Sequence, residues 1–465
     1  MSLLTSSRSH RGPRAAAFVV AALAIVAGTY VASGLRPAAA PLRPAGAPAA
    51  PVAVAPAGAR PADTDPVDVG SAPNASLAQV DHSIEAWSKN LAANPQDFLS
   101  ATNLAILYQG RGRLSYDLGD YQRSLDAARQ ALTIEPTDDE ARLAEASTLV
   151  SLHDFGSALT TVGPILAAAP TQPAALAVRF DAELELGRID DARKDLAVLQ
   201  STGGPPVLLR EARLASVTGD GKRAVQLATD ARKAAIADEV QDVGIYDYAV
   251  GEYARLAGDA STARASYRAA LEVRPTDVGA LIGLARIDAF DGSTAAAIDG
   301  LRRATTIAPQ PEALGLLGDL LSQTDPADAE AVKTFDTVRF IEQLGDIQAT
   351  TFDRQLLRFE VDHGGANDTL LARVQASVSA RPDAAGHDLL AWTLYRLGRP
   401  AQATDEVAAA RSLGADDARL RFHDGAIQLA SGDVERGRAL LKSAGDLGPA
   451  LDPSEHQEVA TLLAG

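Results

Sequence analysis

The chain has 465 residues, with 43 Lys plus Arg against 60 Asp plus Glu, a net charge of −17 and no cysteine. A field of that sign works against a phosphate-binding surface, so nucleic acid is not an expected partner. The missing thiols exclude disulfides, thiolate metal sites, cysteine nucleophiles and lipid attachment through an N-terminal Cys.

Residues 1–14 form a basic segment carrying Arg8, Arg11 and Arg14, and the apolar run "AAAFVVAALAIVAGTYVASGL" (15–35) follows with no charge until Arg36. A basic flank before an apolar stretch is the pattern of an export signal or a signal anchor. As a helix the stretch reaches about 30 Å, enough to span a bilayer. The leading expectation is a single-pass anchor in the cell membrane with the remainder of the chain extracytoplasmic. The alternative is a secreted protein released by signal cleavage.

Residues 36–76 hold nine prolines between Pro37 and Pro73 among Ala, Gly and Val. Such a segment buries too little surface to fold and favours extended polyproline conformation, so it reads as a disordered tether.

From residue 77 onward the pattern is helical. "LAQVDHSIEAWSKNLAANP" (77–95) reads as one helix with Ser83 and Trp87 in a small-then-large pair. Then "GDYQRSLDAARQALTIEP" (119–136) returns in related form, with starts at 153, 187, 219, 258, 292, 326, 365, 398 and 432. The period is about 34 residues, which is the signature of a stacked helical array. Two steps are five residues longer, near 237–241 and 342–352, and "RLSYDLG" (113–119) looks like a seven-residue insertion. Longer helices or loops are expected there. "DPSEHQEVATLLA" (452–464) has a plausible cap at Asp452 or Ser454 and should close the array as a capping helix.

The recurring small residue, large residue and proline, as in Ala263, Tyr267 and Pro275 or Ala297, Leu301 and Pro309, resemble the tetratricopeptide repeat. The positions have physical reasons. Glycine at 187, 258, 292, 398 and 432 permits positive φ between two helices, the small residue lets the helices approach, and proline stops the second helix. The resemblance implies an all-α, right-handed superhelical solenoid of about ten helix-turn-helix repeats over 77–451, closed by 452–465 and preceded by the N-terminal membrane-spanning or signal helix. Repeats seven to nine are similar to those of exported bacterial tetratricopeptide-repeat proteins of undefined role.

Motifs for chemistry are missing. There is no Gly-x-Ser-x-Gly, no phosphate loop and no His-Glu-x-x-His, and the seven histidines stand at no metal-ligand spacing, so neither catalysis nor a metal or other cofactor is expected. His423 and Asp424 are adjacent but fall on different helix faces.

The resemblance implies binding instead, in a concave groove lined by first helices that takes a protein or peptide, with the membrane engaged only through the N-terminal helix. The family's groove-facing places fall on Asp181, Arg213, Tyr248, Glu252, Arg255, Arg286, Phe290, Trp392, Tyr395, Arg396 and Phe422. Aromatic residues and Arg dominate binding hot spots, so Trp392, Tyr395 and Arg396 form the favoured patch. Packing of Trp392 or Tyr395 on a neighbouring repeat is the competing reading. The family's clamp for acidic chaperone tails is not expected, because Thr102, Ile106, Leu143, Ser147, Ala177 and Asp181 occupy the places of its Lys and Asn. The expected function is a non-enzymatic protein-binding scaffold outside the cytoplasmic membrane, or alternatively an accessory protein of an envelope transport or assembly complex. The sequence leaves the oligomeric state open.

Overall fold

The computed structural model describes residues 77–240, 242–344 and 346–465, with backbone only at 346–350. The expected anchor at 15–35 and tether at 36–76 lie outside the described residues. Among those residues no helix is long and apolar enough to cross a membrane.

Helix α1 (Leu77–Ala93) packs on the first of ten helical hairpins. These pair α2 (Phe98–Ser115) with α3 (Leu118–Ile134), α4 (Asp139–Ser151) with α5 (Phe155–Ala168), and α6 (Pro173–Glu185) with α7 (Ile189–Leu199). Next come α8 (Pro205–Val217) with α9 (Gly221–Ala237), α10 (Gly244–Leu256) with α11 (Ala260–Val273), and α12 (Val278–Phe290) with α13 (Thr294–Ile307). The last four hairpins join α14 (Pro311–Thr324) to α15 (Ala329–Gln343), α16 (Asp346–Phe359) to α17 (Asp368–Ala380), α18 (Ala384–Arg396) to α19 (Pro400–Ser412), and α20 (Ala418–Ser431) to α21 (Val434–Gly445). A single helix, α22 (Pro453–Ala464), ends the stack.

The turn inside several hairpins follows from a two-residue instruction. In Gly258-Asp259 and Gly432-Asp433 the glycine takes φ of +83° and +91°, ending the first helix, and the aspartate caps the second by accepting from Thr262 N and Arg436 N. His153 stands in the glycine's place in the second hairpin with φ +62°, its ring stacked 5.4 Å from Phe155. A left-handed non-glycine residue is uncommon, and here the stacked ring and the Asp154 cap hold it.

The small-and-large rule sets the packing. Ala158, Ala192, Ala263, Ala297 and Ala403 have no exposed surface, and Val162, Leu196, Tyr267, Leu301 and Val407 fill the space beside them. Tyr267 is the extreme case. A Cβ on Gly283 would lie 2.2 Å from its Cζ, so the glycine exists to admit the ring.

The expected insertion adds a turn to α2 and ends in Tyr116, whose φ is +64°. Its buried hydroxyl donates to Thr276 O at 3.2 Å and accepts from Val278 N at 3.1 Å, 160 residues along the chain. The five-residue excess near 237–241 lengthens α9, whereas the one expected near 342–352 does not fall there: α15 and α16 are joined by two residues, and a π-helical turn at Glu360–Gly364 follows α16 instead.

The stack also meets itself further on. A Cβ on Gly187 would reach 2.6 Å from Pro382 O, and one on Gly258 would reach 3.1 Å from Leu447 O. Arg255 donates to Pro449 O at 3.0 Å across a separation of 194 residues. Successive turns of the array therefore touch, and its inner face is narrow.

Candidate functional site

First helices supply the inner face, and closure brings their side chains into contact with one another. Asp181 is buried and receives Arg210 Nη2 at 2.7 Å, with Arg213 Nη1 3.7 Å away, and burial pushes its carboxyl upward. Arg213 also pairs with Glu185. Glu252 accepts from Arg255 Nη2 at 2.5 Å and from the Tyr267 hydroxyl at 2.6 Å. Tyr248 is buried against the Tyr267 ring at 5.9 Å.

The favoured patch of Trp392, Tyr395 and Arg396 is largely packed. Trp392 is buried, donates from Nε1 to Asp362 Oδ1 at 2.9 Å, and stacks on His423 at 4.1 Å and on Tyr395 at 5.0 Å, with buried Phe422 5.1 Å away. Arg396 lies over Trp392 at 4.7 Å and reaches Glu458 at 3.5 Å, so the exposed part of the patch is Arg396 with one edge of Tyr395. Phe290 is 44% exposed and faces His456 at 5.5 Å. His423 and Asp424 are both buried. The histidine pairs with Asp388 at 2.7 Å, and Asp424 pairs with Arg411 at 3.0 Å.

A cavity of about 420 Å³ lies between α14, α16, α18 and the start of α22. None of the eleven residues expected from the sequence lines it. Its walls carry Arg354, Arg358, Arg381 and Arg419 among the carboxylates Glu312, Asp319, Asp383, Asp452 and Glu455, with Phe359, Leu316 and Leu389 between them. The helical spacing of Glu312, Gly315, Leu316 and Asp319, and of Arg354, Gln355, Arg358 and Phe359, is a signal in the sequence that would have found this face.

Most of the charges are matched. Arg354 donates to Asp383 at 2.9 Å and to Arg381 O at 2.5 Å. Arg358 stands apart: its nearest carboxylates, Asp388 and Glu455, are 3.7 and 3.9 Å away, beyond good hydrogen-bond distance. His363 Nδ1 contacts Phe359 O at 3.0 Å and Nε2 contacts Asp319 Oδ1 at 2.7 Å. Both neighbours accept, which favours the doubly protonated ring. Burial works against that charge, but the Asp319 hydrogen bond and charge outweigh it and hold the ring above its ordinary value.

Helix α22 closes one side of the cavity. Asp452 Oδ1 receives Arg286 Nε at 2.6 Å and its Oδ2 receives Arg419 Nη2 at 3.1 Å, while Arg286 also holds Glu312 at 2.5 Å. Burial alone would raise the Asp452 carboxyl, yet the two guanidinium groups pull it well below the usual range. Ser454 donates to Asp319 at 3.2 Å and Arg419 Nε to Glu455 at 2.5 Å. Among the described residues no group of three or more His, Asp or Glu side chains is placed to hold a metal ion.

Residues 115–179 match the family described as tetratricopeptide repeat, a segment spanning α3, α4 and α5 whole. No curated protein matches the chain. Among solved structures it is similar to a thermophilic tetratricopeptide repeat protein of Thermus thermophilus, at 22% identity over 41% of this chain and 98% of that one with a TM-score of 0.36. It is also similar to a tetratricopeptide repeat protein of Parabacteroides merdae, at 19% identity over 56% and 99% with a TM-score of 0.31. A third likeness is to yeast Tom70, at 13% identity over 83% and 92% with a TM-score of 0.32. The family match thus rests on residues 115–179, and hairpins of the same helix-turn-helix form stack along the rest of the described residues.

Proposed function

We propose that the chain is a non-enzymatic protein-binding scaffold, held outside the cytoplasmic membrane by residues 15–35 and displaced from it by the proline-rich 36–76 segment. Tetratricopeptide-repeat proteins are typically protein–protein interaction scaffolds and usually non-enzymatic. The observation that carries the reading is the inner-face cavity, about 420 Å³ in volume, whose charged walls and apolar patches suit a short peptide segment. Arg358, whose carboxylate neighbours Asp388 and Glu455 stand at 3.7 and 3.9 Å, offers donors to a carbonyl or carboxylate entering there.

In this reading the partner is a protein or peptide, and the array is a right-handed superhelix of ten repeats in the region 77–451. The apolar stretch beside the basic N-terminus favours a second reading, in which the chain is an accessory protein of an envelope transport or assembly complex. Pull-down of the full chain from the detergent-solubilised envelope of its own host tests both. Co-purification of an integral membrane complex favours the accessory role, and a soluble exported partner favours the scaffold. Recovery of no protein above background in that experiment would overturn both.

A further inference from the structure

We infer that Arg286 and Arg419 form a receptor site for an acidic helix start, filled in this chain by its own Asp452–Glu458 segment. The inference rests on the reading above that the inner face is the binding surface, and it adds the chemistry of the ligand.

The two guanidinium groups converge on one carboxylate from different parts of the chain, Arg286 on α12 and Arg419 on α20. Arg286 is buried, so without that carboxylate a pair of like charges would face each other with reduced solvation. Glu312 meets Arg286 from α14, and the Asp452 carboxylate is the one group that both arginines share. The segment that supplies it carries Asp452 as helix cap and Glu455 three residues on, and Glu455 takes Arg419 Nε while also accepting from Asp452 N at 2.8 Å. An Asp-x-x-Glu helix start satisfies the arginines and the first backbone N–H groups with one arrangement.

This occupant is held by charge more than by apolar burial. Val459 is the one fully buried side chain of α22, with Leu462 and Leu463 partly covered, whereas α20 buries nine of its residues. The lead-in is a short turn through Gly448 at φ +50°, strapped by Arg255 to the carbonyls of Pro449 and Ala450, and its Ala450 and Leu451 are buried in the core, so the charge-held part begins at Asp452. A segment docked mainly through ion pairs, joined by a turn, is one that a competing acidic helix start replaces. Its departure would widen the cavity, because Asp452, Ser454 and Glu455 form part of the wall.

The test uses the full chain and a fluorescein-labelled peptide of residues 448–465. The Asp452→Asn/Glu455→Gln double variant weakens the intramolecular segment while keeping capping groups at both positions and leaving the arginines intact. It should bind the peptide at least tenfold more tightly than the parent chain does, and adding Arg419→Gln should abolish the gain. The single Glu455→Gln variant should give a smaller gain in the same direction if the double variant folds poorly. Amide exchange in the parent chain should be faster across Pro453–Ala464 than across Ala418–Ser431. Equal peptide binding by parent and variants, binding indifferent to Arg419, or equal exchange in the two helices would overturn the inference. If the peptide fails to bind while an envelope partner is still captured, this inference alone falls. If the peptide binds as expected and no partner is captured, the scaffold reading alone falls.

Discussion

Arg286 and Asp452 stand 166 residues apart in the chain and meet through a 2.6 Å charge-assisted hydrogen bond on the inner face. Glu312 holds the same guanidinium from the other side, so one arginine ties α12, α14 and the start of α22 together. A bond that joins successive turns of a helical array does what local hairpin packing cannot: it fixes the pitch.

Replacing Arg286 by Ala should destabilise the chain by about 3 kcal/mol, because Glu312 is left partly buried without its partner and Asp452 keeps only Arg419. Urea unfolding read by circular dichroism measures it. The comparison is Lys194→Ala, which removes an exposed pair with Asp191 and should change stability by less than about 0.5 kcal/mol.

Tyr116→Phe removes a hydroxyl that serves Thr276 O and Val278 N across 160 residues. The orphaned backbone N–H should cost about 1–3 kcal/mol. Amide exchange at Val278 should accelerate, while exchange within α4 should not. Unchanged exchange at Val278 would mean that the contact does not persist in solution.

Gly283→Ala forces a methyl against the Tyr267 ring, which should cost about 1–3 kcal/mol by overpacking. Because the obstacle is one ring, the Gly283→Ala/Tyr267→Leu double variant should lose less than the two single changes added together. Strict additivity in thermal unfolding would show that the ring and the glycine do not compete for space.

His153 is pushed down to about 4 by burial and by the nearby Arg381 guanidinium. A depressed histidine folds neutral, so its contribution is present above pH 6.5 and is lost as pH falls from 6.5 toward 4. His153→Asn tolerates the left-handed backbone and removes the titration. Its melting temperature should therefore fall less steeply than the parent's between pH 6.5 and 4.5. Parallel slopes would place the acid sensitivity in other groups.

The hairpins were legible because most are written locally: glycine at the turn, alanine at the close approach, proline past the end. Tyr116 could be seen as part of an insertion, but its target at Val278 could not, since nothing near residue 116 encodes a contact 160 residues away. The same reason separates the expected groove residues from the cavity. Asp181, Arg213, Glu252, Arg255 and Arg286 sit on first helices and are engaged in ion pairs with neighbouring side chains. Whether an inward side chain meets solvent or another turn of the array depends on pitch, which sums small rotations over many repeats and has no local signature. Trp392 illustrates the ambiguity, because the same aromatic residue serves a binding face or the packing of Tyr395, Phe422 and His423.

The central claim is that the start of α22 occupies the inner face against α14, and the absence of cysteine from the chain makes a clean test. Asp319→Cys and Ser454→Cys replace side chains whose oxygens lie 3.2 Å apart. Treated with a short bis-maleimide at low protein concentration, the double variant should yield one intramolecular link joining the 319 and 454 peptides by mass spectrometry. Links only between separate molecules, with two freely reacting thiols in each monomer, would contradict the account.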